Sequence, residues 1–149
     1  MKPWKLNLSL LCLLVLSWLP VQAKQMAVVV DKANNLNDIT AADLAKIFQS
    51  NTKKWPDGRN VTIVLSDLGS VDLQQALQHL LKMTPAEVNT FVAAHKVSFV
   101  VVESSNSLLK LVESTPGAVG LVDVYALTRK VNVVKIDGKL PLEPGYLFH

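Results

Sequence analysis

Short apolar runs alternate with stretches in which apolar residues return every three or four positions, and this alternation sets the expected architecture. "MAVVVD", from Met26, is continuous enough to be a buried strand. "ITAADLAKIFQS" then has helical spacing, with Leu44, Ile47 and Phe48 on one face, Thr40 at the N-cap and Asp43 three residues on in a capping-box arrangement. "NTKKWPDGRN" carries a Pro56-Asp57-Gly58 turn signal and returns the chain to the strand "VTIVL". After it, "SDLGSVDLQQAL" opens a helix with Leu73, Ala76, Leu77 and Leu80 along one stripe and Gln74, Gln75 and Gln78 facing water. "TPAEVNTFVAAH" starts another helix, with Thr84 as cap, Pro85 at its first position and Glu87 completing the box. "VSFVVV" reads as a buried strand, "SNSLLKLVEST" as a short helix, "PGAVGLVDV" as a turn into a strand, and "VNVVKIDGKLPL" as a strand ending at an Asp137-Gly138 turn. Strands separated by helices in this order predict an α/β fold, a three-layer sandwich with a mostly parallel central sheet.

The first 23 residues stand outside that pattern. Lys2 and Lys5 precede an apolar run from Leu6 to Leu19, and "PVQA" follows with Val21 and Ala23 at the small-residue positions, so a secretory signal cleaved after Ala23 is expected. The run is short of the ~20 residues of a spanning helix, so no stable membrane insertion is expected after cleavage. Residues 24–149 then form one domain with one core, large enough to need no staples. The sole cysteine, Cys12, lies in the signal without the small residue that precedes a lipid-modified cysteine. The remaining chain has neither a disulfide framework nor a thiolate metal site.

Charge excludes one partner class. Thirteen Lys and Arg against twelve Asp and Glu in residues 24–149 leave a net charge near +1, and no basic stripe interleaved with aromatics appears, so no nucleic-acid partner is expected. No histidine pair or paired carboxylates lie at metal-ligand spacing, and no metal or cofactor is expected. His79 and His95 fall on different helices, and Ser104, Ser105 and Ser107 of "ESSNS" read as a loop and helix cap without an acid or histidine at telling spacing. The chain is therefore read as non-enzymatic. Trp55 reads as a side chain packing its turn against the body.

Binding chemistry concentrates at Gly69, Ser70, Val71 and Asp72. A strand, a tight turn and a helix start leave backbone N–H groups pointing outward, an arrangement that holds anions. The same residues also describe a well-capped helix, with Ser70 as N-cap and Asp72 complementing the helix dipole.

The ordered series "AVVVDKANNLNDITAADLAKIF", "KKWPDGRNVTIV", "GS" before a helix, "KMTPAEVNTFV" and "TPGAVGLV" resembles the phosphate-binding-protein-like domain of periplasmic ABC uptake systems, over nearly all of residues 24–149. The resemblance implies a fold like one lobe of a type II periplasmic binding protein and a phosphate or small-oxyanion ligand. In two-lobed members these segments form mainly the second lobe, and the first lobe's anion loop would precede Met26, so half of the usual site is expected to be missing. Ser70 matches the family's loop serine and Gly69 its neighbour, but Ser66 and Leu73 stand where an arginine is usual and Asp72 where a hydroxyl is usual. An arginine fork holds two phosphate oxygens, whereas Asp72 repels the same ligand. Whether Lys53, Lys54 or Lys82 folds toward the turn and replaces that charge is left open by the sequence. Two readings follow: a periplasmic oxyanion-binding domain of weak affinity, or an envelope protein-interaction module, with homodimerisation as one way of rebuilding a cleft.

Overall fold

The computed structural model describes residues 25–148, and the expected signal and its cleavage site lie outside the described residues. Six strands form one sheet: β1 (Met26–Val30), β2 (Asp38–Ile39), β3 (Thr62–Ser66), β4 (Phe99–Val102), β5 (Ala118–Asp123) and β6 (Asn132–Ile136). Their order is β2-β6-β1-β5-β3-β4. The β2–β6, β3–β4 and β3–β5 pairs are parallel, and β1 is antiparallel to both β5 and β6. Five strands thus run one way and β1 alone runs against them, from the middle of the sheet. The carboxyl ends of the five meet one edge of the sheet, and the start of β1 lies on that edge.

Helices α1 (Ala41–Phe48), α2 (Val71–Leu81) and α3 (Pro85–Ala94) cover one face, and α4 (Ser105–Ser114) covers the other. The expected single core is therefore divided by the sheet into two layers. Val28, Val30, Ile63, Leu65, Val119 and Leu121 point to the three-helix side, while Ala27, Val29, Val64, Ala118 and Val122 point to α4. This period-2 division explains why "MAVVV" and "AVGLV" are apolar without interruption: both faces of these strands are covered. Gly120 in β5 lies under α4, where a Cβ would stand 2.8 Å from Leu108 Cδ2 and 3.3 Å from Val112 Cγ2. Its lack of a side chain sets how closely helix and sheet approach.

Connections leave the sheet on alternate sides. From β3 the chain passes through α2 and α3 to β4, one place outward; from β4 it passes through α4 to β5, back across β3. Crossovers of one hand in opposite directions must use opposite faces. The segment after β5, with Ala126 and Leu127, also packs on the α4 side. At the carboxyl edge β3 therefore sends its chain to one face while both of its neighbours send theirs to the other.

Caps formed as the sequence indicates. Thr84 Oγ1 accepts from Glu87 N and the Glu87 carboxylate accepts from Thr84 N, a complete box. Thr40 Oγ1 accepts from Asp43 N, but the Asp43 carboxylate pairs with Lys46 at 3.1 Å, so only half of the box expected there forms. That lysine and the threonine hydroxyl hold the Asp43 carboxyl below its ordinary value. The strand expected to be buried at "VSFVVV" is an edge strand instead, with Val101 47% exposed, because nothing pairs with it beyond β3 among the described residues.

Three of the segments that carry the family resemblance, those with Asp31, Trp55 and Gly117, meet at the amino edge of the parallel strands. Trp55 is buried, and its Nε1–H donates to the Gly117 carbonyl at 2.8 Å. The Gly117 N–H donates to the buried Asp31 Oδ1 at 3.2 Å, and Asp31 Oδ2 lies 3.4 Å from an Arg59 nitrogen. Arg59 also pairs with Asp57 at 2.7 Å. Gly117 has φ +84 and would press a Cβ against the Asn60 carbonyl oxygen, so the turn before β5 admits glycine there. "WPDGR" and "PGAVG" are thus two halves of one structural joint. Trp55 packs its turn against the body, as the sequence implies.

Candidate functional site

Ser66 ends β3 at the carboxyl edge, and four residues of turn separate it from α2. Asp67 adopts φ +50, and its carbonyl accepts from Ser70 N at 2.9 Å, closing the turn. Ser70 is extended and caps α2: its Oγ accepts from Leu73 N at 3.2 Å, and its carbonyl accepts from Gln74 N at 3.0 Å. An α-helix leaves its first N–H groups without intrahelical partners. Leu73 N is satisfied by the Ser70 side chain, which leaves the Val71 and Asp72 N–H groups facing the carboxyl edge at the positive end of an 11-residue helix. Gly69 and Val71 are exposed, and Ser70 and Asp72 are partly so.

Gln74 departs from its expected place on the water-facing side. Its Nε2 donates to the Leu68 carbonyl and lies 3.5 Å from Asn89 Oδ1, while its Oε1 is buried without a partner. The turn exposes a carbonyl that needs a donor, and the side chain one turn into α2 is the one that reaches it. The Gln75 and Gln78 neighbours do not share this position.

A second capped helix start stands beside the first. The register pairs Ser66 with Val102, so the loops after β3 and β4 leave adjacent strands at one level. Ser104 caps α4, with its Oγ accepting from Ser107 N at 3.1 Å and donating to Ser107 Oγ at 3.1 Å. On the other side, β5 ends at Asp123, whose carboxylate accepts from Tyr125 N at 2.9 Å. The Ser70 turn therefore lies where neighbouring connections depart to opposite faces, the kind of crevice in which open α/β sheets bind ligands.

The charges around this crevice are negative. Asp67, Asp72, Glu103 and Asp123 stand at these three strand exits, while the only arginine and lysine of the three connecting loops, Arg129 and Lys130, lie at the far end of the β5–β6 connection, before β6. The lysines considered as replacements for the missing arginine are elsewhere. Lys53 and Lys54 precede β3 at its opposite end, where the Lys53 carbonyl accepts from Val61 N. Five strand residues span about 17 Å. Lys82 is the C-cap of α2, at the far end of a helix about 16 Å long. Arg59 is engaged by Asp57 and Asp31 at the amino edge. His79 lies on α2, and His95, the α3 C-cap, stacks on Phe91 with its Nδ1 2.8 Å from the Phe91 carbonyl. Neither is near a nucleophile at the Ser70 turn. A groove of about 720 Å³ between the end of α2 and α3 is lined by Lys82, Met83, Glu87, Phe91 and His95 and contains none of the four turn residues. Among the described residues no group of three or more His, Cys, Asp or Glu side chains is arranged to hold a metal. No described helix is long and apolar enough to cross a membrane.

Comparison with known proteins places this geometry. A family model described as a PBP superfamily domain matches residues 17–145. No curated protein matches the sequence. Solved structures do share the fold. A putative phosphate ABC transporter substrate-binding protein with bound phosphate from Clostridium perfringens is 22% identical with a TM-score of 0.62, over 77% of this chain and 46% of that one. PstS from Borrelia burgdorferi is 16% identical with a TM-score of 0.63, over 79% and 49%. The phosphate binding protein from Stenotrophomonas maltophilia is 17% identical with a TM-score of 0.64, over 79% and 40%. The chain spans less than half the length of each, and at these identities the likeness is one of fold, that of one lobe. With the family model covering most of the sequence and the sheet matching a lobe of phosphate-binding proteins, the chain belongs to the PBP superfamily domain family.

Proposed function

We propose that this is a periplasmic, non-enzymatic domain of the phosphate- and oxyanion-binding-protein type, freed from its signal after Ala23 and linked to ABC uptake. Residues 24–149 act as one folded unit, and ligand contacts centre on Gly69, Ser70, Val71 and Asp72. The observation that carries the reading is the pair of unclaimed N–H groups on Val71 and Asp72 at the positive end of α2, at the crevice beside β3. The lobe-like fold and the phosphate in the Clostridium perfringens structure support an oxyanion as ligand class. Asp67, Asp72 and Glu103 oppose a dianion, and among the described residues no lysine or arginine stands at the β3 and β4 exits beside them, so affinity within a single chain is weak.

A second reading has its own observation. Val71 is 67% exposed and Tyr125 78% exposed, on the two sides of the crevice, and with the carboxylates they form a surface suited to an envelope protein partner or a second copy of the chain. Calorimetric titration with phosphate and sulfate separates the two. Saturable one-site binding that weakens in Ser70→Ala supports the oxyanion reading, and no heat at millimolar anion refutes it. Mass measurement on the same sample tests the homodimer, which a strictly monomeric chain would exclude.

A further inference from the structure

Residues 25–148 contain twelve Lys and Arg and twelve Asp and Glu, so the domain is close to neutral. The fold nevertheless separates its charges. Following the sheet order along the amino edge, Arg129 and Lys130 precede β6, Lys32 follows the reversed β1, Lys53, Lys54 and Arg59 precede β3, and Lys96 precedes β4. Only Arg59 is in an ion pair there; the other six are exposed with no ion-pair partner among the described residues. The carboxylates Asp31 and Asp57 at this edge are both engaged by Arg59, and Glu113, exposed in the last turn of α4 before β5, is outnumbered by the six unpaired cations. The row runs from β6 to β4, four inter-strand spacings or about 19 Å.

We propose that this amino edge docks on an anionic lipid bilayer, with the carboxyl edge and its Ser70 turn facing away. Three observations select a bilayer from other polyanions. The cations are spread along an edge and do not converge on a pocket, which suits an extended charged surface and not a single ion. Val97, beside Lys96 at the tip of the α3–β4 turn, is 97% exposed, an apolar side chain placed at the end of the basic row to enter the acyl boundary. The aromatic at this edge, Trp55, is buried and bonded to Gly117, so it is not available for stacking on nucleic-acid bases. The acidic carboxyl edge lies at least a strand length away, about 17 Å, beyond the ~10 Å screening length at 0.1 M salt, so it does not cancel the attraction.

The test is co-sedimentation with phosphatidylglycerol-containing and pure phosphatidylcholine vesicles. It uses chain recovered after export with its N-terminus defined by mass, so that every variant carries the same leader or none. Binding is expected only to the anionic vesicles and is expected to weaken as salt rises. The Lys53→Glu/Lys54→Glu and Arg129→Glu/Lys130→Glu pairs should each lower the partition coefficient by roughly tenfold or more. Val97→Asp should lower it several-fold, and Asp67→Asn/Glu103→Gln at the opposite edge should leave it unchanged. Circular dichroism of each variant confirms folding, since all these positions are exposed. The proposal is overturned if binding is absent at low salt, or if the carboxyl-edge variant shifts binding as much as the amino-edge pairs. It is equally overturned if heparin and DNA bind as tightly as vesicles while Val97→Asp has no effect, which marks a general cationic face.

Discussion

Ser70 can be asked whether it serves the helix, a ligand, or both. Its Oγ accepts from Leu73 N at 3.2 Å, so Ser70→Ala removes an N-cap and leaves one more N–H of α2 without a partner. Such caps contribute about 1 kcal/mol, within a range of roughly 0.5–2. For a domain of this length that is a fall in Tm of roughly 3–5 °C. Ser70→Asp keeps a good cap, because a carboxylate accepts the same bond and complements the dipole, so its stability should stay within about 0.5 kcal/mol of wild type. The two substitutions part company on ligand. Both remove the hydroxyl donor, and Ser70→Asp also adds a fifth carboxylate to Asp67, Asp72, Glu103 and Asp123 around the crevice. Any oxyanion binding should be reduced in Ser70→Ala and abolished in Ser70→Asp. Urea unfolding followed by fluorescence of the buried Trp55 gives the stabilities, and phosphate titration gives the binding. A Ser70→Ala protein as stable as wild type refutes the cap; a Ser70→Asp protein that binds phosphate as wild type does refutes the placement of the ligand.

Three further outcomes follow from packing and burial. Trp55→Phe strands the Gly117 carbonyl in a buried joint and should cost about 1–3 kcal/mol in urea unfolding by circular dichroism; a cost under roughly 0.5 would mean the joint is not held by that bond. Gly120→Ala places a Cβ 2.8 Å from Leu108 Cδ2, and overpacking there should cost about 1–3 kcal/mol, relieved in part by Leu108→Ala in the same background. Tyr146 is buried with its hydroxyl donating to the Met26 carbonyl at 2.9 Å, and burial pushes its pKa well above the ordinary 10.0. The folded chain therefore holds this proton to higher pH than the unfolded chain does. Its contribution is fully present below pH 10 and declines as pH rises through the alkaline range, by up to about 1.4 kcal/mol per pH unit. Chemical unfolding at successive alkaline pH values should show that loss, and Tyr146→Phe should remove the part due to this group.

Local chemistry was well written in the sequence. Ser70, Thr84 and Ser104 cap the helices that their spacing announced, because a cap depends only on residues three apart. The stripe of Leu73, Ala76, Leu77 and Leu80 is buried for the same reason, its period being that of the helix itself. What depends on position within the sheet was not legible. β1 runs against its neighbours, but a strand covered on both faces is apolar in either direction, so "MAVVV" carries no sign of its sense. Likewise "FVVV" has the composition of a central strand while lying at an edge. The helical wheel places Gln74 toward water. The Leu68 carbonyl that draws it inward is created by the turn, which the helical period does not describe.

The charge pattern shows most clearly how topology makes a surface that no window of sequence contains. Lys32, Lys53, Lys54, Lys96, Arg129 and Lys130 are scattered over nearly a hundred positions, and no basic stripe appears when they are read in order. Each lies just outside a strand at its amino-edge end, so pairing the strands assembles them into a row. The carboxylates of the β3, β4 and β5 exits are assembled on the opposite edge by the same pairing. One arrangement therefore has two consequences. It leaves the proposed oxyanion site at the Ser70 turn to the backbone N–H groups and the Ser70 hydroxyl, since Lys53, Lys54 and Lys82 are a strand or a helix length away. It also gives a nearly neutral domain a strong polarity, which predicts that substitutions of equal net charge at the two edges will have unequal effects. Neutralising Asp67 and Glu103 should strengthen anion binding at the turn without changing vesicle binding. Reversing Lys53 and Lys54 should do the converse. If both pairs act on both readouts in proportion to net charge alone, the separation of the two edges has no functional meaning.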